Sequence, residues 1–315
     1  MRCLALIAAL ALGASSVAPA QEPAEPALQQ PLGPELLEME NERHERLTVS
    51  VTIGDRGPFR FLIDTGAQAT VLSRELADSL GLFDRRPVTL IGMASRAATH
   101  TVAIHQLGIG QRRTNVARAP LVEGRHLGGA DGVLGIDALQ GQRILLDFAE
   151  QRMTIATPEE AKRTSGYEIV VRARPRHGQL IITDAQIEGI RTAIVIDTGA
   201  QVSVGNAALA RRLRSREGTP AELTDINGTI AQGLLHVADH AKIGELELKS
   251  LPIVFTPSPA FHALELEDRP AMILGMRELR LFPRIAIDFD TRRILFDLPS
   301  SKREMAEAWA RFRES

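Results

Sequence analysis

Two aspartates, Asp64 and Asp197, each stand at the end of an apolar run and inside the same six residues, Ile-Asp-Thr-Gly-Ala-Gln, which occur at 63–68 and again at 196–201. Carboxylates held a few ångströms apart cannot both be charged, so such a pair shares a proton and titrates as a unit. In that state one carboxylate can take a proton from a water molecule while the other carboxyl donates to the carbonyl oxygen being attacked. The chemistry available is therefore direct attack of an activated water on a carbonyl, without a covalent intermediate. Glycine after the aspartate and threonine lets the turning backbone pass close to the carboxyl, and the threonine hydroxyl is free to hydrogen-bond locally or to the other copy. A single Asp-Thr-Gly would read equally well as an Asx-type turn; two in equivalent places call for a common cleft.

The positioning elements repeat as well. Asp131-Gly-Val-Leu-Gly-Ile136 corresponds to Ala271-Met-Ile-Leu-Gly-Met276, and Arg143-Ile-Leu-Leu-Asp-Phe148 to Arg284-Ile-Ala-Ile-Asp-Phe289, in the same order and with a slowly drifting offset. That is the signature of a duplicated domain. Alternating, β-branched stretches at 47–53, 180–183 and 294–296 read as strands, and Gly54 to Gly57 and Glu188-Gly189 as turns. One short helix is expected in each half, at 73–80 and 206–213. The expected fold is mostly β, with two lobes in a pseudo-two-fold arrangement within one chain. The boundaries are a signal peptide at 1–20, an extended tether at 21–45, a first lobe at 46–157, a linker at 158–177, a second lobe at 178–298 and an amphipathic helix at 299–315.

The two Asp-Thr-Gly-Ala motifs, each followed about seventy residues later by hydrophobic-Leu-Gly, resemble the retropepsin-like aspartic proteases, in an exported single-chain form like that of bacterial members. The resemblance spans Arg46 to Asp297 and implies Asp64 and Asp197 as the catalytic dyad. It further implies that Thr65, Gly66, Ala67, Thr198, Gly199 and Ala200 support the dyad, with the two threonines bridging the lobes. It implies hairpin flaps about thirty residues after each aspartate, where Ile91, Gly92 and Met93, and Asn227 and Gly228, supply turn residues. The activity implied is that of an aspartic endopeptidase acting on protein or peptide substrates, without a cofactor and active as a monomer. Two departures stand out: the sole tyrosine, Tyr167, is not in either flap, and Asp137 is answered by Arg277. Ala67 and Ala200 offer no hydroxyl to the dyad, which points to activity in a mildly acidic to neutral range.

Other chemistries find little support. A formal charge of −2, without runs of like charge, gives no bulk attraction to nucleic acid. The sole cysteine, Cys3, lies ahead of an apolar stretch ending in Ala18-Pro-Ala20, a cleavable export signal; thiol catalysis and disulfides are thereby excluded from the mature chain. The expected location is periplasmic or secreted, with no integral membrane span after cleavage. His236 and His240 are four apart, but no Glu follows His236 and 234–243 reads as a strand, so no metal site is assigned. There is no Gly-x-Ser-x-Gly elbow, and Gly128 to Gly132 lacks the Lys of a phosphate loop. The rival of another class is a peptide-binding or scaffold module that keeps the fold without turnover. Met305, Trp309 and Phe312 give the C-terminal helix its apolar stripe.

Overall fold

The computed structural model describes residues 34–41, 47–157, 160, 167, 169–176, 179–213 and 218–298. They form a mostly β protein of two related lobes with a few short helices. In the first lobe, strand Arg56–Ile63 carries the chain to Asp64, antiparallel to Leu47–Ile53 and parallel to Gly132–Leu134 with Phe61 opposite Gly132 and Ile63 opposite Leu134. In the second, strand Ala193–Ile196 carries the chain to Asp197 and lies parallel to Ala271–Leu274, Ile196 opposite Leu274. These inner strands are apolar and buried along their length at the site end, as strands covered on both faces must be. The repeated hydrophobic-Leu-Gly segment is thus the strand that braces each aspartate: Asp64 N donates to Leu134 O and Asp197 N to Leu274 O, both at 3.0 Å.

The glycine ending each bracing strand is dictated by close approach. A Cβ on Gly135 would lie 2.4 Å from the main-chain carbon of Ala69, and one on Gly275 2.7 Å from that of Val202. The helices expected after each motif are present at Arg74–Ser79 and Ala207–Leu213. Ser73 caps the first by accepting from Leu76 N, and Asn206 Oδ1 accepts from Leu209 N at the start of the second. Among the described residues, three further α-helices, Ile136–Leu139, Pro259–Ala263 and Met276–Leu279, are four or five residues long. A stretch that short shows no helical period, which is why one helix per half was too few.

The lobes are stitched by a sheet to which each half gives three strands, ordered Glu35–Glu38, Arg152–Ala156, Arg143–Asp147, Arg284–Asp288, Arg293–Phe296, Ile169–Arg176. Its centre pairs the two copies of one repeated segment, antiparallel, Arg143 opposite Asp288 and Asp147 opposite Arg284. Two segments outside the expected lobes also form paired strands. Residues 35–41, counted with the tether, form strands Glu35–Glu38 and Glu40–Asn41 that pair with 152–156 and with 47–48. Residues 169–176, counted with the linker, form a strand whose Ile169, Val171 and Ala173 are buried while Val170, Arg172 and Arg174 are exposed. In both cases backbone pairing to a neighbouring strand outweighs a polar or charged composition. The proposed signal peptide and C-terminal helix lie outside the described residues. Among the described residues, no helix is long and apolar enough to cross a membrane.

Candidate active site

The two Asp-Thr-Gly loops meet. Gly66 N and Ala67 N both donate to Asp64 Oδ1 at 2.8 Å; Gly199 N and Ala200 N donate to Asp197 Oδ1 at 2.8 and 3.0 Å. Each glycine faces the other loop's carboxyl, for a Cβ on Gly66 would be 2.3 Å from Asp197 Cγ and one on Gly199 2.3 Å from Asp64 Cγ. Only a residue without a side chain fits at either place. Below, the threonines exchange bonds: Thr65 N donates to Thr198 Oγ1 at 3.0 Å and Thr198 N to Thr65 Oγ1 at 3.2 Å. Each hydroxyl then donates across the lobes, Thr65 to Ile196 O and Thr198 to Ile63 O. All these groups are buried, so the bonds hold the loops in one register.

Asp197 is buried and Asp64 partly so, and the two carboxyls hydrogen-bond to each other. Burial, and after it the neighbouring Asp197 carboxyl, hold the Asp64 carboxyl well above the ordinary range, against the lowering effect of the Ala67 and Gly66 amides. A bond between two carboxyls requires that one of them keep its proton, so the pair carries a donor and an acceptor side by side.

Two hairpins, one from each lobe, meet at their tips. One joins Arg86–Ile91 to Arg96–Ile109, the other Thr219–Thr224 to Ile230–Ile243. Ile91 is exposed at the root of the first turn, while Gly92 is buried. The tips touch through Asp225, two residues before the Asn227-Gly228 pair. Asp225 Oδ1 accepts from Asn227 N and Thr229 N of its own turn, and Oδ2 accepts from Ala94 N at 3.1 Å and Ser95 Oγ at 2.7 Å of the other. Asn227 Nδ2 also donates to Ser95 Oγ. A Cβ on Gly92 would lie 2.4 Å from Asp225 Oδ2, and one on Gly228, whose φ is +77°, 2.5 Å from His126 Nε2. The tips also cross over: Met93 packs against the second lobe's cluster of Val195, Val204, Phe261 and Ile273, and Ile226 against the first lobe's cluster of Leu62, Val71, Leu127 and Val133.

Residues 49–141, which hold Asp64 and Gly135, match the family model of the gag-polyprotein aspartyl protease, and residues 183–277, with Asp197 and Gly275, match the aspartyl protease model. The chain carries two domains similar to aspartyl proteases. No curated protein matches the chain. Both matches end before the strands 143–147 and 284–288 that join the protease domains into one sheet.

Beneath each aspartyl protease loop sits a second carboxyl. In the first domain Asp137 Oδ1 accepts from Thr70 N at 2.8 Å and Thr70 Oγ1 at 2.7 Å, and Thr70 Oγ1 in turn accepts from Gly135 N. In the second domain Ser203 takes the place of Thr70, accepting from Gly275 N and donating to Glu278 Oε2 at 2.5 Å. The imbalance read from Arg277 is thus corrected by the next residue: Glu278, with one more methylene and one position on, reaches the same hydroxyl. Burial pushes Glu278 up to about 7, with the Ser203 bond opposing, and raises Asp137 against its Thr70 bonds. His236 and His240, read as strand residues, both lie in strand Ile230–Ile243.

Proposed function

We propose that the protein is an aspartic endopeptidase that hydrolyses peptide bonds of protein substrates with a water activated between Asp64 and Asp197. What carries this reading is the mutual approach of the two loops, in which each carboxyl lies against the other domain's glycine and the two carboxyls share a hydrogen bond. The ionised carboxylate takes a proton from water as its oxygen bonds to the scissile carbonyl carbon. The protonated carboxyl gives its proton to the carbonyl oxygen, which leaves a neutral gem-diol. Collapse breaks the carbon–nitrogen bond: the carboxyl that received the water proton passes it to the departing nitrogen, and a hydroxyl proton returns to the other carboxylate. Products are a carboxylic acid and an amine, and the dyad is restored to one proton. No cofactor enters any step.

The amides of Gly66, Ala67, Gly199 and Ala200 keep one oxygen of each aspartate occupied and so orient the remaining pair toward a common water. Both carboxyls come from one chain, so the reading includes activity as a monomer. The export-signal pattern of residues 1–20 supports maturation by signal cleavage and a periplasmic or secreted location. Asp64→Asn and Asp197→Asn test the activity against a broad peptide library, each expected to lower kcat by about a thousandfold or more without lowering the unfolding midpoint. A wild type that binds peptides as the variants do and cuts none of them would instead make this a non-catalytic peptide-binding module.

A further inference from the structure

Gln179 opens strand Gln179–Ile182 of the second lobe, and its buried side chain crosses to the first, where Nε2 donates to the carbonyl oxygen of Gly66. That carbonyl belongs to the same peptide unit as Ala67 N, which donates to Asp64 Oδ1 at 2.8 Å. One peptide is therefore gripped at both ends, by an amide from the far lobe and by a dyad carboxylate. Hydrogen bonds in series polarise one another, so a donor on the carbonyl makes the N–H a better donor to the carboxylate.

We infer that Gln179 is a positioning residue of the proposed dyad, which it holds and polarises through the Gly66–Ala67 peptide. The inference rests on the protease reading. Among the described residues Gln179 Oε1 is buried without a hydrogen-bond partner. An orphaned buried acceptor is destabilising, which argues that this amide serves the loop rather than the stability of the fold. The titratable group facing Asp64 is Asp197; Asp137 and Glu278 are held beneath the loops by Thr70 and Ser203.

Gln179→Met keeps the length and removes both polar atoms. It is expected to unfold at the same temperature as wild type or higher. Its kcat should fall about tenfold with KM changed by less than about twofold, the cost of weakening one bond to a charged group. The acid limb of its pH profile should move up by about half a pH unit, because a less well solvated Asp64 takes a proton more readily. Gln179→Glu supplies a donor only while protonated, so it should restore activity at the acid end and lose it as the pH rises. Titration of the aspartate carboxyl carbons by NMR reads the dyad without turnover and should show the same upward shift in Gln179→Met. A Met variant whose carboxyl titration and kcat match wild type overturns the inference, as does a loss that tracks a fallen unfolding temperature. A wild type that cuts nothing while the carboxyl titration still shifts would remove the protease reading and leave Gln179 its hold on the dyad.

Discussion

Asp225 of the second hairpin and Ser95 of the first are joined at their tips, Ser95 Oγ donating to Asp225 Oδ2 at 2.7 Å, so one carboxylate organises both turns. The same carboxylate takes three main-chain amides, from Ala94, Asn227 and Thr229. Asp225 is buried, and removing it leaves four donors without an acceptor. Asp225→Ala should therefore release both tips together. Amide exchange at Ala94 and Thr229 is expected to speed up by about tenfold or more, the equivalent of about 1–3 kcal/mol of lost local stability, while exchange in the bracing strands 132–134 and 271–274 stays unchanged. Uniform acceleration over both lobes would instead mean that the fold as a whole had been weakened.

The shared proton has a consequence for stability. The Asp64 carboxyl titrates well above its unfolded value, chiefly through burial and then through Asp197. The stability associated with the bound proton is fully present below the unfolded pKa and is lost as the pH rises through the folded one. Asp64→Asn removes the need to hold that proton, so its unfolding midpoint should exceed that of wild type at neutral pH and approach it in acid. Parallel curves for variant and wild type across that range would contradict a buried, proton-sharing pair.

Much of this arrangement is legible in the residues, and the reasons differ by element. The hexapeptide repeat and the later Leu-Gly pairs are local in sequence, so they disclose the two loops, their bracing strands and the segments that pair at the lobe junction. Glu278 escapes because a repeat alignment looks for its counterpart at 277, whereas a longer side chain reaches Ser203 from the next position. Asp225 hides beside an Asn-Gly pair that already explains a turn; its bonds to Ala94 and Ser95 span more than 120 residues. Gln179 belongs to no pattern at all, since its partner is a carbonyl oxygen in the other lobe. Strand 35–38 lies at the edge of its sheet, where charge is tolerated and composition misleads, and strand 169–176 divides its pairing between 293–296 and 179–182, distant partners that its own composition does not reveal.

Arg143 and Asp288 face each other across the central strands of the joining sheet, with Nη2 and Nε at 2.7 and 3.0 Å from Oδ2. Burial alone would raise the Asp288 carboxyl, but the Thr291 amide and the Arg143 guanidinium more than offset it and hold it below the ordinary range. This contribution is present above the unfolded pKa and fades as the pH falls through the folded one. Arg143→Met strands a buried carboxylate, and a loss of about 3–5 kcal/mol is expected at neutral pH. The loss should shrink in acid, as chemical denaturation at two pH values would reveal; an equal loss at both would assign the effect to packing of the arginine stem.

Glu278 is fully buried with its pKa pushed from 4.5 to about 7 by burial. Between those values the folded protein keeps a proton that the unfolded chain has released. Stability therefore falls by about 3 kcal/mol as the pH rises from below 4.5 to above 7. Glutamine retains a carbonyl oxygen for the Ser203 hydroxyl and carries no titratable proton, so Glu278→Gln should be close to wild type at pH 4.5 and more stable than it above pH 7. The dyad contributes a slope of the same sign in both proteins, and the difference between their denaturation curves isolates Glu278. Because Gly275 N donates to the same Ser203 oxygen, the strain of charging Glu278 is delivered to the strand that braces Asp197. The Gln variant should accordingly hold its activity to higher pH than wild type, and coincident alkaline limbs would show that the second carboxyl beneath the site acts on stability alone.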